Sequence, residues 1–169
     1  MLAPIIALLL LPSVTASDYR AEIGQVLIDD CPRVLSGDLS LSDEVQVKAI
    51  GFNRLPARPT ASPDTSFAGR GADANQVILG GSANKLCLVE FAAPDIRALY
   101  DGIVNDVREK GFEGPAPTLT SAGFSQVRLH RGKGADRTSL FIMMAASDAY
   151  LSYKPSILAL VTRDPEEGK

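Results

Sequence analysis

The chain has 169 residues, a net charge of −3 at pH 7 and no Trp. Hydrophobic residues make up 46% and charged residues 22%, which is the composition of a globular protein. The small negative charge gives no general attraction to nucleic acid or to an acidic membrane surface. With aromatic residues at only 6%, a large aromatic sugar-binding platform is not expected.

The N-terminal residues predict a secretory signal peptide. An apolar run over 2–11 is followed by small residues up to Ala16, the pattern of a hydrophobic region before a cleavage site. The run is shorter than the roughly 20 apolar residues of a membrane-spanning helix. We expect a signal peptide over 1–16, one α+β domain over 17–164 and a disordered tail over 165–169. A buried N-terminal helix or an uncleaved anchor is the alternative.

The two cysteines, Cys31 and Cys87, predict one disulfide. Disulfides form and persist in oxidising compartments, so an exported chain with a single pair favours a bond between them. Zinc is disfavoured, because the pair lacks the close spacing of a structural site and the chain has one His. The predicted location is therefore periplasmic or secreted, with no stable membrane span after cleavage and no metal.

The N-terminal half of the predicted domain begins with helices. Apolar residues at helical spacing predict a helix over 18–31, with Asp18 as N-cap and Pro32 ending it. The stretch 42–50 alternates like a strand, yet Ser42 is a good cap for a helix. We favour the short helix there.

Strand signals follow an extended segment. Residues 53–75 are rich in Pro, Ala, Ser and Gly, with room for a short strand at 66–69. The β-like runs 76–81 and 85–93 are separated by three turn-forming residues and predict a hairpin.

A long helix is the clearest element of the sequence. Asp95 begins it, Lys110 lies in its last turn, and one stripe of apolar residues recurs with the helical period of 3.6. The stripe consists of Ile96, Leu99, Tyr100, Ile103, Val104 and Val107.

Three strands are predicted after this helix and a loop, over 124–131, 138–147 and 156–164. The runs 141–144 and 157–161 are apolar on both faces, which indicates central strands. Hairpins and a meander imply antiparallel pairing. The predicted fold class is α+β, with an antiparallel sheet of about five strands and helices packed on one face as a two-layer sandwich.

Several of these features together resemble small secreted proteobacterial proteins of unassigned function. They are the exported leader, a first helix that reaches Cys31, the pair Gly51-Phe52, the stretch KLCLVEF around Cys87, and a helix opened by Pro-Asp. The resemblance covers residues 18–110. It implies a periplasmic setting and carries no activity.

Two short stretches match functional motifs only in part, and both are explained by turns. The stretch GRGADA at 69–74 matches a relaxed dinucleotide-binding pattern, but a β-like run follows it where that motif requires a helix. The stretch SANK at 82–85 matches a Ser–Lys nucleophile motif, but it lies in the predicted hairpin turn and no KTG element accompanies it. Neither motif predicts a cofactor, and we expect none.

The single imidazole, His130, has no nucleophile beside it in the sequence, so no catalytic residue is assigned. It lies on a strand where Val127 and Leu129 are expected to point inward, and Arg128 and His130 outward. The chain is therefore expected to be non-enzymatic.

The hairpin around RLHRGKGADRTS is the candidate ligand-binding segment. Its tip is predicted near 131–136, where Gly132 and Gly134 permit positive φ. A solvated turn is one interpretation. Capture of an anionic group is the other, because guanidinium groups bind oxyanions in bidentate fashion. The candidate residues are Arg131, Lys133, Arg137 and His130.

The sequence favours an exported binding or envelope-associated protein whose partner is an envelope protein or an anionic ligand, not a nucleic acid. The alternative is a small hydrolase or enzyme inhibitor that acts through the loops at 53–75 or 128–137. A pocket lined by His130 and other polar groups would favour the enzyme.

Overall fold

The computed structural model describes residues 16–59, 61–71, 76–92, 95–120, 124–134, 137–145 and 156–163. The predicted signal peptide, apart from Ala16, and the predicted tail lie outside these ranges. None of the described helices is long and apolar enough to cross a membrane.

The first helical segment is longer than predicted. Helix α1 (Ala16–Gln25) leads into a π-helical turn (Val26–Asp30) and then helix α2 (Cys31–Ser36). Asp18 therefore lies inside a helix and does not cap it. The prediction that Pro32 ends the helix is also wrong. The wider π-turn explains this, because a regular helix would set the proline ring against the carbonyl of residue i−4.

The stretch over 42–50 is a helix, as favoured. Helix α3 (Glu44–Ala49) is capped by Asp43, whose carboxylate accepts hydrogen bonds from the backbone N–H groups of Val45 and Gln46. The predicted cap, Ser42, instead hydrogen-bonds Ser40. A carboxylate also complements the positive end of the helix dipole, which favours Asp over Ser at this position.

The described chain forms one antiparallel sheet of eight strands in the order β1-β2-β3-β4-β8-β7-β6-β5. The strands are β1 (Asn53–Leu55), β2 (Ser66–Arg70), β3 (Val77–Ser82), β4 (Leu86–Ala92), β5 (Thr118–Leu119), β6 (Phe124–Arg131), β7 (Thr138–Ala145) and β8 (Ser156–Arg163).

The antiparallel α+β class is confirmed, but the count of about five strands is wrong. One of the additional strands, β2, lies at the position where the sequence left room for a short strand. The other two, β1 and β5, have only three and two residues, which is too few to show a period of two in the sequence. The segment after the long helix, expected to be a loop, also pairs through a bridge between Glu113 and His130.

The two faces of the sheet differ in burial. In β4, Cys87, Val89 and Phe91 are buried, whereas Leu88 and Glu90 between them are half-buried. The same alternation continues through β8, β7 and β6, because paired residues in a sheet share a face. We call the side that carries Cys87 the buried face and the other the open face.

The helices contact each other and the sheet. Helix α2 lies on the buried face, where Cys31 and Cys87 form a disulfide with an S–S distance of 2.06 Å. Val34 of α2 fills the space beside Gly81, where an added Cβ would lie 2.7 Å from its side chain. Close approach of helix and strand therefore requires glycine there. The predicted disulfide is confirmed.

The long helix forms as predicted. Helix α4 (Ile96–Glu109) starts after Asp95, whose side chain accepts a hydrogen bond from the backbone N–H of Ala98. It contacts α1, β7 and β8. The buried residues of its predicted stripe are Leu99, Tyr100, Ile103, Val104 and Val107, whereas Ile96 is only partly buried.

Replacing Ile103 by Ala tests the packing of α4. Ile103 is 0% exposed, and removing a buried aliphatic side chain costs about 2–5 kcal/mol of unfolding free energy. Urea denaturation measures the change. The control is Val45→Ala, at a side chain that is 78% exposed, for which we expect less than about 0.5 kcal/mol. Equal small losses would contradict the packing described here.

Removing the disulfide by Cys31→Ala with Cys87→Ala is expected to lower the unfolding free energy by about 2–5 kcal/mol, because the bond restricts the unfolded chain. The two cysteines are 56 residues apart. Thiol titration of the unreduced, denatured protein should find no reactive thiol. Detection of two thiols per chain would show that the bond does not form.

Candidate binding surface

The basic hairpin does not form a single cradle. The tip between β6 and β7 forms as predicted, with positive φ at Gly132 and Gly134. Alternation along β6, however, sends Arg128 and His130 to the open face. Arg131 points the other way, and its guanidinium carbon lies 4.7 Å from the centroid of the Phe112 ring.

The other candidate residues of the hairpin are Lys133, which is exposed, and Arg137, which is half-buried. Residues 135 and 136, at the predicted tip, lie outside the described residues. The side chains of Arg131 and His130 leave β6 on opposite faces, so these two candidates do not converge on one anion. Arg128 and Arg131 likewise share the hairpin but leave β6 on opposite faces.

His130 has a neighbour that its sequence context does not suggest. Its Nδ1 lies 2.9 Å from the hydroxyl oxygen of Ser139 on β7, and its backbone exchanges hydrogen bonds with Glu113. In some enzymes a serine paired with a histidine is a nucleophile activated by a general base. Because β7 pairs with strands on both sides, its backbone N–H groups are used by the sheet and form no oxyanion hole.

The open face carries a continuous set of half-buried apolar side chains. We call this set the apolar trough. It spans β4, β8 and β7, and its members lie in two adjacent rows that run across the strands. The trough consists of Leu88, Leu158, Leu160, Phe141 and Met143.

One wall of the trough is an ion pair. Arg58, in the loop after β1, reaches across the open face to Glu90 of β4, with a distance of 2.9 Å between Nη1 and Oε2. Its guanidinium carbon also lies 4.9 Å from the ring centroid of Phe67. An added Cβ at Gly80 would lie 2.6 Å from that ring. Phe67 thus lies against the bare backbone of Gly80, and Arg58 lies over Phe67 on this side of the open face.

The opposite wall is Arg128 of β6. Its side chain is exposed, and its guanidinium carbon lies 5.9 Å from the centroid of the Phe141 ring. Within the described part of the chain, no carboxylate forms an ion pair with Arg128. One wall of the trough is therefore neutralised and the other carries a positive charge.

A second concavity lies between α1, the π-turn and α4. This groove of about 400 Å³ is lined in part by Gly24, Asp29, Asp106 and Lys110. Both carboxylate oxygens of Asp106 are engaged by the guanidinium of Arg20. Of the two carboxylates that line the groove, Asp106 is therefore neutralised by an ion pair.

No metal site forms from the described residues, among which no group of three or more His, Cys, Asp and Glu side chains is suitably placed. The two sulfurs are used in the disulfide.

Two polar groups are buried away from the trough. Burial raises the pKa of Tyr100 to about 12, and its hydroxyl has no hydrogen-bond partner in the described structure. Burial also raises the pKa of Asp30 above its ordinary value, although Arg33, with an Nη1–Oδ1 distance of 3.4 Å, opposes this. Both groups lie in helical segments and neither lines the trough.

Asp30→Asn tests the cost of burying this carboxyl. A raised folded-state pKa means that the stability contributed by the neutral carboxyl is present below the unfolded-state pKa and is lost as pH rises through the folded-state pKa. We expect the variant to be more stable than the parent at about pH 7 and close to it at about pH 3. Urea denaturation at both pH values measures this.

The matched control for that experiment is Asp29→Asn, which removes a carboxylate from the exposed neighbouring position. We expect little pH-dependent gain there. A gain for Asp30→Asn that is the same at both pH values would contradict the assignment to burial of charge.

Comparison with family models, with curated proteins and with solved structures finds no match to this chain. Any functional argument therefore rests on the geometry of the chain itself.

The sequence contained a signal for the trough. The runs 141–144 and 157–161 are apolar at every position, as noted above, whereas a sheet with a solvated face normally alternates. Arg58 gave no such signal, because only the fold brings its loop against Glu90. Of the predicted ligand-binding residues on β6, His130 lies on the open face, in the row next to that of Arg128, and Arg131 lies on the other face.

Proposed function

We propose that this chain is an exported, non-enzymatic binding domain that docks a partner protein of the cell envelope on its open face. The observation that carries the proposal is the apolar trough. Leu160 and Phe141 are apolar, yet they lie on the open face and are only half-buried. The residues next to them on the same strands lie on the other face and are buried. Contiguous apolar surface of this kind is typical of interaction sites.

The packing of the domain supports the proposal. We infer a two-layer sandwich in which the helices occupy the buried face. Three contacts support this arrangement: the disulfide from α2 to β4, the packing of Val34 beside Gly81, and the contact of α1 with α4. A sheet that has helices on one side leaves its other side for a partner.

The proposed location follows from the cysteine chemistry. A disulfide between Cys31 and Cys87 persists in the periplasm or outside the cell, where thiols are not kept reduced. The apolar N-terminal run supports export by the same route. A kinship with small secreted proteobacterial proteins is part of this proposal and rests on the sequence features given above.

Residue-specific photo-crosslinking tests the docking face. A benzophenone amino acid at position 160 in the trough is expected to give an adduct with another protein in cells that make this chain. The same group at position 45, which is 78% exposed on α3, should give none. The adduct at 160 should be lost when Phe141→Gln is added, because that change makes the trough polar.

Three results would contradict the proposal. They are no adduct at position 160, equal adducts at both positions, and an adduct with a second copy of the chain in place of a partner. Circular dichroism of each variant, compared with the parent, establishes that the fold is retained.

A further inference from the structure

We propose that the occupant of the apolar trough is an amphipathic α-helix of the partner, with a carboxylate that faces Arg128. This inference rests on the proposed docking function and specifies the chemistry of the partner. It follows from the dimensions of the trough, the state of the sheet edges and the unequal charge of the two walls.

The width of the trough suits one helix. Glu90 on β4 and Arg128 on β6 are three strand positions apart, or about 14 Å at about 4.8 Å per strand. An α-helix with its side chains is about 10–12 Å across. The two rows of the trough are two residues apart along each strand, or about 7 Å. Little more than one helical turn of about 5.4 Å therefore contacts the trough, and a helix of roughly 15 residues would continue along the rest of the strands, which are seven or eight residues long.

The edges of the sheet disfavour the other common way of binding a peptide. Strand addition requires a long edge strand with unpaired backbone groups. Here the edge strands are β1, with three residues, and β5, with two. A partner segment can therefore gain more from burying apolar area on the open face than from forming backbone hydrogen bonds with the short edge strands. An amphipathic helix suits such a face because its apolar residues lie along one side.

The charge of the walls sets the chemistry of the helix. Glu90 neutralises Arg58 on one side, whereas Arg128 has no ion-pair partner among the described residues. The stacking of Arg128 against Phe141 holds its guanidinium beside the trough floor, where docking would remove water from it. Burying an unpaired cation is unfavourable, so the flank of the helix that meets Arg128 must supply a carboxylate.

Two designed 15-residue peptides test this inference with the full oxidised protein. Both carry Leu at helical spacing, and the flanking positions on one side hold Glu in the first peptide and Lys in the second. Fluorescence anisotropy of labelled peptides measures the dissociation constants. We expect the Glu peptide to bind about three- to fivefold more tightly, in line with one partly exposed ion pair.

Charge reversal at Arg128→Glu should invert that preference. The matched control is Lys133→Glu, the same charge change at an exposed position in the adjoining hairpin tip, and it should leave the preference unchanged. If Arg128→Glu leaves the two affinities equal to those of the parent, or if Lys133→Glu has the larger effect, the assignment to Arg128 is overturned.

Other outcomes separate this inference from the proposed function. Equal affinity of both peptides, abolished by Phe141→Gln, would overturn the carboxylate requirement and leave the docking face intact. Binding of neither peptide would overturn the helical occupant, and the crosslinking result at position 160 then decides the docking face. Sedimentation of the free protein as a dimer that Leu160→Gln dissociates, or preferential binding to phosphatidylglycerol vesicles, would also overturn it.

Discussion

The bond between Cys31 and Cys87 holds helix α2 against the face of the sheet that carries Cys87. A strand turns successive side chains to opposite faces, so tying Cys87 to α2 commits Leu88 and Glu90 to the other side. Because the neighbouring strands pair in register with β4, that choice extends across the sheet. The pleat of the strands therefore places the residues that share a face with Cys87 on the same side as α2, and the residues between them on the open face.

Arginine–aromatic contacts recur at the margins of the core. In the described structure, guanidinium groups lie over the rings of Phe52, Phe67, Phe112 and Phe141. Such contacts let a charged side chain cover apolar surface while its polar atoms stay available. The ion pairing differs among them, since Arg58 and Arg70 have carboxylate partners. Arg128 covers a ring in the same way, and no carboxylate of the described residues forms an ion pair with it.

The sequence predicted those elements that bury a periodic stripe. Helix α4 follows from an apolar stripe with the helical period, and strands β7 and β8 follow from runs that are apolar on both faces. The disulfide follows from the cysteine count and the predicted export. The predictions from sequence were wrong at two helix ends, where rules for helix-breaking and helix-capping residues did not account for the neighbouring structure. Pro32 continues a helix because a π-turn precedes it, and Asp43 replaces Ser42 as the cap.

The candidate surface was less predictable, because its walls come from distant parts of the chain. Arg58 and Glu90 are 32 residues apart, and no local pattern brings them together. The basic residues of the hairpin were visible as a cluster. Their division between the two faces was implicit in the alternation of β6, which separates Arg128 from Arg131. The apolar floor was visible in the sequence as strands without a polar side.

The order of strands in the sheet has a consequence for synthesis and export. Strand β8, the last in the chain, lies between β4 and β7. Strands β1 to β4 are complete by residue 92, yet one edge of β4 remains unpaired until residues 156–163 arrive. In a chain that crosses a membrane N-terminus first, this central edge of β4 would stay open while residues 93–155 follow. The final strand closes the sheet, so a truncated product would expose the edge that the whole protein conceals.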